Sequence, residues 1–289
     1  MSSVNGAAMA PSGWREALNP ALYLVSLLPG LVVLMHADAA ARGAVLAATF
    51  AVILLQHAIN VLNDVADWKL GADAEKWDSW VRVHDGTRIA SWHGVISFIA
   101  GSLLGLLVLM ITHTLWILGV AAPLVMLGYL YNAGPRPLSY TQLGEWATGV
   151  CYGGVFACLW LLAGKSFDMA ALAGTLAFAA FAVALLLSHQ PPQIATDRAA
   201  GKHSFAVRYG AERTLSVSRG LFSFALVSLA ANLWLGGLQG VGTLAFGLAA
   251  LAAIANVWRR TPNPRGILLQ GALAIGIALA AQVIGTALA

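Results

Sequence analysis

Charge is what this sequence has least of. Only 10% of its 289 residues are Asp, Glu, Lys or Arg, against about 25% in soluble domains, while 59% are hydrophobic and the mean hydropathy is +0.77. That composition excludes a water-soluble globule, a disordered chain and a coiled coil. Cysteine is also scarce. Cys151 and Cys158 stand on one expected helix, about 10 Å apart along its axis and beyond the roughly 7 Å that a disulfide bridges, so a disulfide scaffold is excluded too. No His/Cys set has zinc spacing, no glycine-rich dinucleotide or P-loop pattern occurs, and no Ser-His-Asp set can be inferred.

Long apolar runs fill the chain instead. A spanning helix needs about 20 mostly apolar residues to cross a hydrocarbon layer about 30 Å thick. Nine runs qualify: 18–36, 43–62, 91–112, 114–131, 142–163, 169–188, 214–235, 240–257 and 267–289. A β-barrel would show short alternating segments, and these are continuous. The expectation is an all-α integral membrane protein of about nine transmembrane helices, one domain over 1–289 with a polar leader at 1–17. No small-residue cleavage site follows a short apolar stretch, so the first run reads as a retained span.

The charges that remain are sorted by face. With nine spans, one face receives the N-terminus and the loops between spans 2–3, 4–5, 6–7 and 8–9. That face takes all but two of the 16 lysines and arginines, the exceptions being Arg42 and Lys165. By the positive-inside rule it is cytoplasmic, which puts the C-terminus on the opposite side. The sequence pI of about 9.3 is therefore a topology signal, and no nucleic-acid partner is expected. Two connections are long, 63–90 and 189–213. The first carries half of the 12 acidic residues.

Three segments hold residues suited to chemistry. At the end of span two, Asn60, Asp64 and Asp67 fall at i, i+4 and i+7, on one face if the helix continues past the apolar run. Ionisable groups at that depth mark an ion or substrate path, and Mg²⁺ is held by one or two carboxylates plus the oxygens of a bound phosphate. In the second long loop, Gln193 and Asp197 are four apart, and Arg198 and Lys202 repeat the spacing with positive charge. A basic cluster beside an acidic metal site is the composition that holds a diphosphate. After span four, Arg136 lies between Pro135 and Pro137 as a fixed cation. Tyr131 and Tyr140 read as interfacial aromatics. His57 reads as a packed, hydrogen-bonded residue; His36, His84, His93, His113 and His203 read as surface residues near span ends.

These segments resemble the UbiA superfamily of intramembrane prenyltransferases. Asn60-x-x-Asn63-Asp64-x-x-Asp67-x-Lys69-x-Gly71-x-Asp73 is similar to that superfamily's first aspartate motif, and its Lys-x-Gly-x-Asp tail looks most like the 1,4-dihydroxy-2-naphthoate branch. Tyr131 to Leu138 with Leu143-Gly144-Glu145, and Asp197-Arg198-x-x-Gly201-Lys202 through Ala206 to Gly210, resemble two further blocks of that branch in the same order.

The resemblance implies helices around a central cavity open laterally to lipid, with two cytoplasmic aspartate motifs holding Mg²⁺ and a polyprenyl diphosphate. Carried over by position, Asn60, Asp64 and Asp67 are metal and diphosphate ligands, and Asp197 is the acid of the second motif. Asn63, Gln193, Arg136, Arg198, Lys202 and Tyr131 are substrate contacts. The implied activity is prenyl transfer from an isoprenoid diphosphate to an aromatic acceptor, 1,4-dihydroxy-2-naphthoate in quinone biosynthesis being one candidate. A terpene cyclase, a different acceptor and a non-catalytic lipid-binding homologue are the rivals. The second motif departs from the pattern: Gln193 replaces its first aspartate, Ala195 a neighbouring acid, and His189-Gln190 the usual Asn-Glu or Asn-Asn; Asn19-Pro20 replaces an N-terminal Arg-Pro. The site loses at least one negative charge, which shifts its load onto Arg198 and Lys202.

Overall fold

The structure is a computed structural model describing residues 13–72, 76, 78–134, 136–238 and 240–288. The first part of the polar leader, Asp73, Glu75 and Pro135 lie outside the described residues. Among the described residues nine helices are long and apolar enough to cross a membrane: Trp14–His36, Ala39–Leu70, Thr87–Ile111, Leu115–Asn132, Gly144–Leu162, Met169–His189, Ala211–Leu235, Val241–Arg259 and Pro264–Gly285. They are numbered here as spans one to nine. No strand occurs among the described residues.

Span two departs most from the apolar run that announced it. It continues eight residues past Leu62, since Asn63 to Leu70 contains neither glycine nor proline to break it. At about 1.5 Å per residue its 32 residues reach about 48 Å, well over the thickness of a hydrocarbon layer. Gly71 stops it with φ 82°, and the N–H groups of Gly71 and Ala72 turn back onto the carbonyls of Trp68 and Asp67, a left-handed cap that glycine accepts without strain. The extension carries Asp64 and Asp67 on a rigid helix. The 189–213 connection is likewise folded, into a 3-10 turn Pro191–Gln193 and short helices Ile194–Ala199 and Phe205–Tyr209.

Packing follows small residues and buried amides. A Cβ at Gly174 of span six would sit 2.1 Å from the Phe156 ring of span five, and one at Gly153 would sit 2.8 Å from the Thr175 carbonyl. The glycines let spans five and six approach closely, as in other membrane bundles. Phe156 stacks on Phe178 and Trp160 in the main core. Asn232 of span seven donates to the Ala170 carbonyl at 2.8 Å, and Asn132 of span four donates to the Ile59 carbonyl at 2.7 Å. Cys151 and Cys158 are unpaired thiols.

Candidate functional site

Spans one to six, with Pro264 at the start of span nine, surround a cavity of about 390 Å³ whose wall is mostly apolar. Span two contributes one stripe, Val52, Leu55, Gln56, Ile59, Asn60, Asn63 and Asp64, at the spacing a helix face requires. The stripe grades from aliphatic to amide to carboxylate, so the cavity has one greasy length and one polar end. Lys76, Asp78, Trp80 and His189 complete that end.

The polar end is built from charge pairs with little exposure. Asp64 is 5% exposed; Lys76 donates to its Oδ1 at 2.7 Å and the Trp80 backbone N–H donates to its Oδ2 at 2.8 Å. Asp67, 2% exposed, accepts from Asn63 at 2.8 Å, from the Tyr140 hydroxyl at 2.8 Å and from Lys202 at 3.1 Å. The same Lys202 ammonium is 3.7 Å from Asp197, which also accepts from the Ser204 hydroxyl at 3.1 Å. It stands over the Tyr140 ring, 4.8 Å from the centroid. Buried carboxylates need such partners, since an unpaired charge in a low dielectric costs several kcal/mol.

A second network holds the loop carrying Lys202. Glu145, at the start of span five, accepts from the Gln190 side-chain amide at 2.9 Å and from the Phe205 backbone N–H at 2.7 Å, and the Gln190 side-chain Oε1 accepts from the Ala206 backbone N–H at 3.1 Å. The His203 N–H reaches the Tyr140 carbonyl at 3.0 Å. The 203–206 part of this loop is thereby fixed to Glu145 of span five, to Gln190 just past span six and to the turn before span five.

The model of the UbiA prenyltransferase family matches residues 23–269. The chain belongs to that family.

Among UbiA relatives, a 1,4-dihydroxy-2-naphthoate octaprenyltransferase of Bacillus subtilis is 25% identical over 187 residues, covering 63% of this chain and 60% of that protein. One of the same name from Mycobacterium tuberculosis is 32% identical over 189 residues, covering 63% of each. The matches thus span about three fifths of these relatives' length. A solved UbiA homolog from Archaeoglobus fulgidus, bound to DMAPP and Mg²⁺, shares the fold with a TM-score of 0.65, at 16% identity over 94% of this chain and 98% of that one.

Within this UbiA site the residues singled out by sequence separate into three groups. Asn60, Asn63, Asp64 and Tyr131 line the cavity. Asp67, Asp197 and Lys202 form one buried cluster behind that lining. Lys202 joins Asp197 to Asp67, while Lys76 pairs with Asp64. Arg136 and Arg198 are exposed and do not line the cavity, and Gln193, half-buried, is the residue from which helix Ile194–Ala199 starts.

Tyr140 is not an interfacial aromatic: it is 7% exposed and donates to Asp67. Sequence reasoning assigned no role to Lys76, Trp80, Gln190 or Ser204. A lysine twelve residues beyond Asp64 in an acidic loop carries no periodic signal, so only the fold reveals that pairing.

The donors fit Mg²⁺. Among the described residues no three His, Cys, Asp or Glu side chains form a metal cage, and Mg²⁺ rarely uses one; it takes one or two carboxylates and completes its shell with phosphate oxygens and water. Asp64, a hard oxygen donor on the cavity wall with amides Asn60 and Asn63 beside it, suits that role. Asp67 lies one turn further along the same helix.

Proposed function

We propose that this chain transfers a prenyl group from an isoprenoid diphosphate to an aromatic acceptor. The observation that carries this reading is the shape of the cavity's chemistry: an apolar length ending at Asp64 and Lys76 matches a molecule with an aliphatic tail and an anionic head. The names of the curated relatives favour 1,4-dihydroxy-2-naphthoate as the acceptor class.

Span two and span five side chains hold the prenyl tail in a dry channel and exclude water from the reacting carbon. Asn60 and Asn63 donate to the headgroup, and Lys76 exchanges its contact with Asp64 for a phosphoryl oxygen. Asp64, Asp67 and Asp197 would hold Mg²⁺ with the diphosphate. Bound there, the metal supplies positive charge where the leaving group becomes more anionic. Lys202 shares that task from the inner side, fixed by the Glu145 and Gln190 network. Arg136, Arg198 and Gln193, outside the cavity lining, add no contact to the bound headgroup. The loss of one acid in the second motif is offset by Lys202, which lies between two carboxylates. The whole chain acts as one domain, the cavity opens to membrane lipid, and the polar end faces the cytoplasm with the N-terminus.

Incubation of the purified protein with Mg²⁺, a labelled prenyl diphosphate and a panel of phenolic acceptors tests this. A prenylated aromatic is the expected product. A cyclised hydrocarbon would indicate a cyclase, and absence of diphosphate release would indicate a lipid-binding homologue.

A further inference from the structure

Beside the cavity's polar end, four side chains far apart in sequence form an unbroken chain. The Tyr23 hydroxyl is 2.6 Å from His57 Nδ1; His57 Nε2 is 3.0 Å from His93 Nε2; His93 Nδ1 is 2.9 Å from His84 Nε2. The first three come from spans one, two and three, and His84 from the loop before span three. All four are half-buried. The three rings surround Trp80, which lines the cavity and whose backbone N–H donates to Asp64. Leu22 and Val25, on either side of Tyr23 in sequence, line the cavity as well.

The pattern is more specific than packing requires. A buried histidine is satisfied by one good partner, yet His57 and His93 each use both ring nitrogens within the chain. A neutral imidazole carries one N–H and one acceptor nitrogen. With two such rings in series, every link can hold one proton in either of two consistent orders: all donors pointing from Tyr23 to His84, or all pointing back. The contacts run end to end and do not converge on one point, so they suit proton passage and not a metal.

We propose that Tyr23, His57, His93 and His84 are a proton relay for the phenolic hydroxyl of the acceptor, lent during attack and returned afterwards. This rests on the prenyl-transfer reading above. As the ring carbon beside the hydroxyl bonds to the allylic carbon, the C–O bond to diphosphate breaks with its electron pair leaving on diphosphate, and the hydroxyl becomes a carbonyl. Its proton passes to the Tyr23 oxygen while Tyr23 protonates His57 Nδ1, His57 Nε2–H protonates His93 Nε2, and His93 Nδ1–H protonates His84 Nε2. His84 ends as an imidazolium at the loop. With an acceptor that carries a carboxylate on the alkylated carbon, loss of CO₂ returns an electron pair to the ring oxygen, and the relay runs backwards to restore the hydroxyl. Protons balance over the cycle. His57 and His93 act through Tyr23 and are positioning residues.

The test uses single-turnover prenylation by the full-length protein in Mg²⁺, with H₂O/D₂O mixtures. His93→Gln keeps a donor and an acceptor at that position but cannot pass a proton through its ring. The expected result is a rate about 100-fold lower, in the range general acid–base catalysis contributes, with KM for the prenyl diphosphate unchanged. The curved proton inventory of the unaltered protein should become linear. Imidazole should restore the rate of His93→Ala, whereas pyrrole, which donates but does not accept, should not. Should His93 variants fail to fold, His84→Ala and its rescue by imidazole give the same readout at the outer end. Variants that match the unaltered protein in rate and inventory overturn the relay alone. An unaltered protein that prenylates no phenolic acceptor overturns the prenyl-transfer reading, and the relay with it.

Discussion

Lys202 Nζ lies 3.1 Å from the Asp67 carboxylate and 3.7 Å from that of Asp197, so one ammonium ties span two to the connection between spans six and seven. Its side chain is 13% exposed, which leaves little solvent to take its place. Lys202→Met should cost about 3–5 kcal/mol of stability, the usual loss when one partner of a buried pair is removed. Thermal unfolding in detergent should show the loss, with Mg²⁺ recovering part of it by supplying charge to the two acids. Equal unfolding temperatures would mean that the bridge contributes nothing.

Asp64 and Asp67 hold different partners, and under the proposed function both serve one headgroup. Asp64→Ala and Asp67→Asn should each lower prenyl transfer at least about 100-fold, the scale on which removing one electrostatic contact to a developing charge acts. Both variants should still insert and purify. Activity close to that of the unaltered protein in either case would remove that carboxylate from the metal assignment.

Glu145 is the anchor of the loop that carries Lys202. Glu145→Ala leaves the Phe205 N–H and the Gln190 amide without their shared acceptor. Each buried donor so stranded costs about 1–3 kcal/mol. The expected outcome is faster amide hydrogen exchange over 200–206 together with a raised KM for the prenyl diphosphate. Unchanged exchange there would show that the loop is held by other contacts.

Val155 lines the apolar length of the cavity, ten residues beyond Glu145 on span five. Val155→Phe should shorten the space for the tail. Long prenyl diphosphates should lose kcat/KM, and five-carbon donors should keep it, in a competition assay across chain lengths. A uniform loss at all lengths would place the tail elsewhere.

The sequence made some of this visible and concealed the rest, for physical reasons. Nine apolar runs announce nine helices because hydrocarbon admits little else. Asn60, Asp64 and Asp67 declare themselves through helical spacing. The eight-residue extension of span two was not visible in hydropathy, since Asn63 to Leu70 is helical without being apolar. Tyr140 looked like an interfacial aromatic because its hydroxyl's partner, Asp67, is 73 positions away. His84 and His93 looked like surface residues at span ends, and the fold joins them with His57 into one chain. Contacts between distant segments have no local period, so residues such as Lys76, Gln190 and Ser204 gain their meaning only from packing.

The central claim, that the polar end of the cavity grips a metal-bound diphosphate, is tested most directly by calorimetric titration of a prenyl diphosphate into the purified protein with and without Mg²⁺. Tight binding should require Mg²⁺, and Asp64→Ala should abolish it while an uncharged prenyl alcohol still enters the apolar length weakly. Binding of equal strength without the metal, or undiminished in Asp64→Ala, would contradict it.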